Sequence, residues 1–303
     1  MKTAKKVWLI VAGGLVLLGL ILFVCALAYT GFDVQNLSTV LLQEKITVID
    51  EPFQNIRIEE TESDVEFVLS NDNTCKVSYM EGEGVSRTVY VQDGTLIVRR
   101  EDDQKWFMRI GIYTQKMKTT VYLPKNAYES LYVRSVSGNI FIPSSFSFTL
   151  ATIENTSGNI QSAASMETEL FARTVSGNIS IEQASPQTLT AITTSGNLSL
   201  SSMTVRGEAT MKTVSGDVNL KQTRVENELS CSSTSGNVTF EQSDAGSLRV
   251  ETVSGDVSGT LLSQKMFQVQ TTSGDTNVPL SQSGGICTVT TMSGNVHLSV
   301  MPE

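Results

Sequence analysis

Two aspartates and one histidine are the residues whose types and spacing could do chemistry. Asp217 and Asp256 lie 39 residues apart, each directly after a Ser-Gly pair. Stacked on adjacent turns of a coil with that period, their carboxylates would stand about 5 Å apart, which suits a retaining glycosidase. The same pair could hold calcium, although the Gly-rich nonapeptide of calcium-binding rolls is absent. His297 is the only histidine, so a Ser-His-Asp or Cys-His relay would have to use it. It sits at outward parity between Val296 and Leu298, and no Gly-x-Ser-x-Gly elbow accompanies the serines. A simpler reading covers the aspartates. Six equivalent positions hold Asn, so the slot asks for turn geometry rather than an acid. The sequence therefore reads as non-enzymatic, with no cofactor, no metal site and no phosphate loop.

The element that would position these residues is a repeat. Ser-Gly-[Asn/Asp] occurs nine times, with glycines at Gly138, Gly158, Gly177, Gly196, Gly216, Gly236, Gly255, Gly274 and Gly294. The steps are 19 or 20 residues. A period of this size marks a stacked-repeat fold whose units cannot bury an apolar face alone. Each unit alternates apolar and polar residues, as in Leu229-x-Cys231-x-Ser233-x-Ser235 and then Val238-x-Phe240. That alternation predicts strands with one buried face, bent where Gly-[Asn/Asp] tolerates positive φ. The interior Thr and Ser beside the corner are expected to stack hydroxyl over hydroxyl.

The residue before each serine alternates between an apolar type and Thr: Val136, Thr156, Val175, Thr194, Val214, Thr234, Val253, Thr272, Met292. The apolar corners recur every 39 residues. This predicts a β-solenoid with about 39 residues and two repeats per full turn. One face would carry a Val136–Val175–Val214–Val253–Met292 stripe, the other the threonines. The alternative is a 19-residue turn.

Residues 1–30 read as a Lys-rich start and a membrane anchor. Residues 7–29 carry no charge and at 1.5 Å per residue span about 35 Å. Lys2, Lys5 and Lys6 precede them, which keeps the N-terminus cytoplasmic and the C-terminal domain extracellular at the cell membrane. Ala26-Leu27-Ala28 offers the competing reading of a cleaved signal peptide. Residues 31–45 form a linker, 46–125 an N-terminal β cap, and 126–303 the solenoid. Asp93-Gly94 marks a hairpin within the cap. The last repeat, at Ser293, has only five residues after Leu298, so its ladder edge is expected to be open to a partner or a second copy. Cys75, Cys231 and Cys287 read as small buried hydrophobes, and no Cys-x-x-Cys pair is present.

The formal net charge is −9, which disfavours nucleic acid. The charge is unevenly placed. Residues 31–86 hold 3 basic and 12 acidic side chains, and residues 87–125 hold 8 and 4. The basic island comprises Arg87, Arg99, Arg100, Lys105, Arg109, Lys116, Lys118 and Lys125. With Trp106, Phe107 and Tyr113 it is the best candidate for partner binding: Arg99, Arg100, Trp106, Arg109 and Tyr113 could meet anionic lipid, a wall polymer or an acidic envelope protein.

One N-terminal span, Phe53-x-x-Ile56-x-Ile58, Asp64-Val65, Asp93-Gly94-x-Leu96-x-Val98, Val121-x-Leu123-Pro124 and the Ser-Gly-[Asn/Asp] repeats together resemble the putative-adhesin family of unknown function. That family includes the LiaG-like membrane proteins of Gram-positive bacteria. The resemblance covers about residues 46–303. It implies a surface-exposed β-solenoid linked to cell-envelope stress systems, without established catalysis and without catalytic residues to carry over.

Overall fold

The computed structural model describes residues 2–29, 42–82, 86–101 and 117–302. They fall into two units. One takes in residues 1–44, 80–86 and 102–116, the other 45–79, 87–101 and 117–303. In the first unit the helix Lys2–Tyr29 runs for 28 residues, about 42 Å. Its side chains are described without a break over residues 11–26, all apolar or glycine and all exposed. No helix among the described residues is long and apolar enough to cross a membrane.

The second unit is a parallel β-solenoid. Each turn places the strand before the Ser-Gly corner in one sheet and the strand after it in the other. Ser157 pairs with Ser137 on one side and with Ser176 on the other. The column continues through Ser195, Ser215, Ser235 and Ser254. One turn therefore holds one repeat of 19 or 20 residues, and the expected 39-residue turn is incorrect. The Val/Thr alternation is a rhythm within a single column, not a sign of two faces. Val136, Val175, Val214 and Val253 are all exposed, with Thr156, Thr194 and Thr234 interleaved between them.

The interior is built as columns of like residues. Leu131, Ala151, Leu170, Leu189, Ala209 and Leu229 stack in register, as do Ile140, Ile160, Ile179, Leu198, Val218 and Val238. All are at most 1% exposed, so each large aliphatic contributes on the order of 1.5–3 kcal/mol by leaving water. Cys75, Cys231 and Cys287 are free and buried, and burial pushes each thiol up to about 12. They act as packing groups, not nucleophiles. A second bend, not visible in the repeat motif, closes the far side of several turns. Gln183, Ser202, Gln222 and Gln242 take φ of 57°, 52°, 47° and 50° there.

The stacking order differs from chain order at both ends. The strand Asn55–Glu59 lies between Thr95–Glu101 and Ala127–Ser137. Asp64–Leu69 likewise lies between Lys118–Leu123 and Ile140–Ile142. At the other end Gly285–Ser293 enters between the second half of Val238–Ser254 and Lys265–Ser273. Val296–Val300 enters between Val257–Leu261 and Thr276–Asn277. The first and last turns of the solenoid are thus each inserted one place inward. The expected open edge at the Ser293 repeat is not there, because that repeat is paired on both sides. Cβ atoms at Gly284 and Gly285 would stand 1.8 Å from the carbonyl oxygens of Gln264 and Gly246, so only glycine lets the chain enter this slot.

The end nearest residue 46 is covered. Cys75–Glu81 pairs antiparallel with Lys118–Leu123. Ser86–Gln92 and Thr95–Glu101 are joined through Asp93 and Gly94, both at positive φ (50° and 69°), as a two-residue hairpin turn demands.

Candidate functional site

The nine corners form one continuous hydrogen-bonded edge. The backbone N–H of each Asn or Asp donates to the side-chain oxygen of its counterpart on the neighbouring turn. Asn159 donates to Asn139, Asn178 to Asn159, Asn197 to Asn178 and Asp217 to Asn197, at 2.8–3.0 Å. Asn237 donates to Asp217 and Asp256 to Asn237. The order then follows the insertion: Asn295 donates to Asp256 at 2.7 Å, and Asp275 donates to Asn295 at 2.9 Å. At the other end Asn139 donates to Asp64 at 2.6 Å. Asp64 is therefore a tenth member, and Ser63 stands where the other turns have glycine. Asp64-Val65 was the only sequence trace of it.

This ladder replaces the expected reason for Asn and Asp. None of the corner Asn or Asp residues is among those with positive φ. What the slot requires is a short side chain with an acceptor oxygen. The interior hydroxyls also behave differently from expectation. The residues stack in register, but their hydroxyls do not bond to one another; several donate instead to a glycine carbonyl of the adjacent turn. Thr174 reaches Gly158, Thr193 reaches Gly177, Thr213 reaches Gly196 and Ser233 reaches Gly216, at 3.0–3.2 Å. The corner serines are exposed rather than interior.

The consequence for Asp217 and Asp256 is direct. Asn237 stands between them, so they lie two rungs apart, about 10 Å, and each carboxylate accepts a neighbour's N–H. The 5 Å pair considered for glycosidase or calcium chemistry does not exist. His297 is exposed in Val296–Val300, level with Ser258 and Asn277 on the flanking strands.

A prediction arises from the ladder. Asn197→Leu removes the acceptor for Asp217 N–H and should cost about 1 kcal/mol. Asn197→Asp keeps an acceptor and should stay within about 0.5 kcal/mol of the parent. Urea unfolding monitored by circular dichroism measures both; equal losses would show that the ladder contributes nothing.

The basic island resolves into paired charges. Parallel register sets Glu59 between Arg99 and Arg134, and Glu154 between Arg134 and Arg173. The column alternates in sign along its length, the favourable cross-strand arrangement. Arg99 Nε donates to Glu59 at 2.7 Å, and Arg57 Nε to the same carboxylate at 2.8 Å. Burial pushes the Glu59 carboxyl up, but the hydrogen bonds from Arg57 and Arg99 outweigh it and hold it below the usual range. The Arg57 guanidinium lies 4.8 Å from the Tyr132 ring centre. Arg100 is 96% buried at its side chain and lies 3.4 Å from Glu62, and Lys118 pairs with Glu66. Arg87 is fully buried against Glu60, with Nε–Oε1 at 2.6 Å. Lys105, Trp106, Arg109, Tyr113 and Lys116 lie outside the described residues.

Among the described residues, four cations of the island, Arg87, Arg99, Arg100 and Lys118, thus meet carboxylates of residues 59–66. What stays open to solvent is a shallow cleft whose walls include Arg57, Tyr90, Thr95 and Arg99.

The fold and the corner define a class: a parallel β-solenoid whose chemistry-bearing side chains are spent on stacking. A family model described as Toastrack DUF4097 matches residues 53–241 and 209–303, and the chain belongs to that family. Among solved structures, a putative adhesin from Parabacteroides distasonis is similar at 14% identity and TM-score 0.54, covering 86% of this chain and 97% of that one. One from Parabacteroides merdae gives 15% identity and TM-score 0.47, over 86% and 96%. One from Bacteroides fragilis gives 16% and 0.43, over 86% and 97%. At these identities the likeness is one of fold. No curated protein matches the chain.

Proposed function

We propose that this chain is a non-catalytic, membrane-anchored binding or scaffolding module that holds a rigid β-solenoid at the outer cell surface, in the service of the cell-envelope stress response. The observation that carries the reading is the ladder from Asp64 to Asp275. It commits the acidic and amide side chains of nine of its ten members to stacking, and this leaves a stiff rod with evenly spaced outer columns. Presentation, not turnover, is what such a surface does well. The anchor is the apolar helix Lys2–Tyr29 with its three lysines at the start. The cleft beside Arg57 and Arg99 is the point of contact for an acidic envelope protein or anionic polymer, because two guanidiniums there share one carboxylate.

A second reading, an adhesin that contacts other cells, is favoured by the description of the Parabacteroides distasonis neighbour. Proximity crosslinking in intact cells tells them apart. The scaffold reading expects partners from the same envelope, lost when residues 126–303 are deleted and reduced by Arg57→Ala with Arg99→Ala. An adhesin expects partners only when a second cell is present. Deleting residues 2–29 should release the protein from the membrane fraction, and retention there would sink the anchor.

A further inference from the structure

The distal end of the solenoid is where the ladder stops. Among the described residues, Lys265–Ser273 pairs only with Gly285–Ser293, and Thr276–Asn277 only with Val296–Val300. Every other turn between residues 127 and 300 is flanked on both sides. The inward row of Lys265–Ser273 is half-covered: Phe267 and Val269 pack on the core yet remain partly exposed, and so does Val278 beyond the corner. Leu280 is wholly exposed.

The Lys265–Ser273 half of this edge carries little of the usual protection against pairing. The strand contains no proline and a single charge, Lys265. That charge is turned away: the side chain is 3% exposed, and Nζ lies 2.7 Å from Asp244 Oδ1 and 2.7 Å from Ser263 Oγ. Its stem passes above Gly285, 3.7 Å from where a Cβ would be. The ion pair therefore straddles the inserted last turn, and leaves no net charge along the Lys265–Ser273 edge strand.

We propose that this end is an interface with a second copy of the chain, the two Lys265–Ser273 strands pairing antiparallel about a twofold axis at Val269. The occupant follows from three observations. Register about Val269 sets inward Phe267 opposite inward Thr271 and outward Gln268 opposite outward Gln270, so apolar rows and amide rows each meet their own kind. No like charges face each other, since Lys265 falls opposite Ser273. At the opposite end Cys75–Glu81 runs antiparallel on the last strand of one sheet, so the two ends differ and head-to-tail stacking would not continue the parallel ladder, whereas an isologous pair closes at two. This inference stands apart from the proposed binding role, which a monomer could also perform.

The test uses the full chain in density-matched detergent, studied by sedimentation equilibrium. The parent should be dimeric. Val269→Lys places two ammonium groups on the axis and should weaken the dimer by about 100-fold or more. In a Cys25→Ser background, which removes the exposed thiol of the helix, Val269→Cys should form a covalent dimer on mild oxidation, while an outward control, Gln161→Cys, should not. The thermal melt of each variant checks folding, and Val269→Cys keeps the test alive if the lysine variant unfolds. A monomeric parent would overturn the proposal and leave the edge to another occupant. So would a dimer unaffected by Val269→Lys and not trapped by Val269→Cys, which would place the contact in the helix.

Discussion

Replacing Gly196 by alanine should destabilise the solenoid by about 3 kcal/mol, near the upper end for overpacking. A Cβ at Gly196 would stand 1.9 Å from Gly177 O and 2.5 Å from Gly177 C, both backbone atoms. Gly177 cannot retreat, because a Cβ there would itself stand 2.0 Å from Gly158 O. Relief would require the turns to part. Parting them strains the Thr193–Gly177 bond at 3.0 Å and the Asn197–Asn178 bond at 2.8 Å, and pulls Leu198 from its column. Gly196 has no positive φ to lose, so the test isolates close approach from backbone conformation. Val214→Thr, in the exposed column where alternate turns already hold Thr, should stay within about 0.5 kcal/mol. Urea denaturation reads both. An alanine variant as stable as the parent would mean that the turns have slack, and the argument for nine glycines would collapse.

Much of this architecture was legible in the sequence because the repeat writes the same physical demand nine times. The alternation Leu229, Cys231, Ser233 places each of these side chains inside, and the structure puts all three there. It failed at Ser235, because Thr234 and Ser235 are both exposed: the inward–outward alternation ends at Ser233 although the strand runs to Ser235. The turn length was not legible from spacing. A 39-residue recurrence of Val fits two repeats per turn or one column of alternating residues equally well; only pairing such as Ser157 with Ser176 decides it.

The displaced order at the two ends was harder still. Every turn offers the same carbonyls, N–H groups and acceptor side chains to its neighbour, so the local chemistry hardly distinguishes one stacking order from another. The marks that do are few: Gly284-Gly285, and charged residues at inward parity. Glu60 continues the row of Ile56 and Ile58, and Lys265 begins the row of Phe267 and Val269. An inward charge requires a buried partner. The sequence could announce that need but not that the partners are Arg87 and Asp244. For the same reason Arg99 and Arg100 looked like a free cationic surface. Their carboxylates, Glu59 and Glu62, lie 40 and 38 residues earlier and meet them because Asn55–Glu59 stacks in register on Thr95–Glu101.

The Glu60–Arg87 pair yields the second large effect. Both side chains are fully buried, and the carboxylate is saturated: Arg87 Nε donates at 2.6 Å, Arg87 Nη2 at 3.1 Å and Thr119 Oγ1 at 2.6 Å. Arg87 Nη2 also donates to Ser63 Oγ at 2.5 Å, one residue from the first rung of the corner ladder at Asp64. Arg87→Met leaves a buried carboxylate without its cation and should cost about 3–5 kcal/mol. Glu60→Leu leaves a buried guanidinium and should cost about as much. The double variant Glu60→Leu with Arg87→Met removes both charges and should recover most of the loss, because an apolar pair of similar volume needs no desolvation. A double-mutant cycle on urea midpoints therefore should give a coupling of several kcal/mol. If the two losses simply add, the pair is not holding the inserted first turn, and the Asp64 end of the ladder must be fixed by packing around Phe67 and Tyr79 alone.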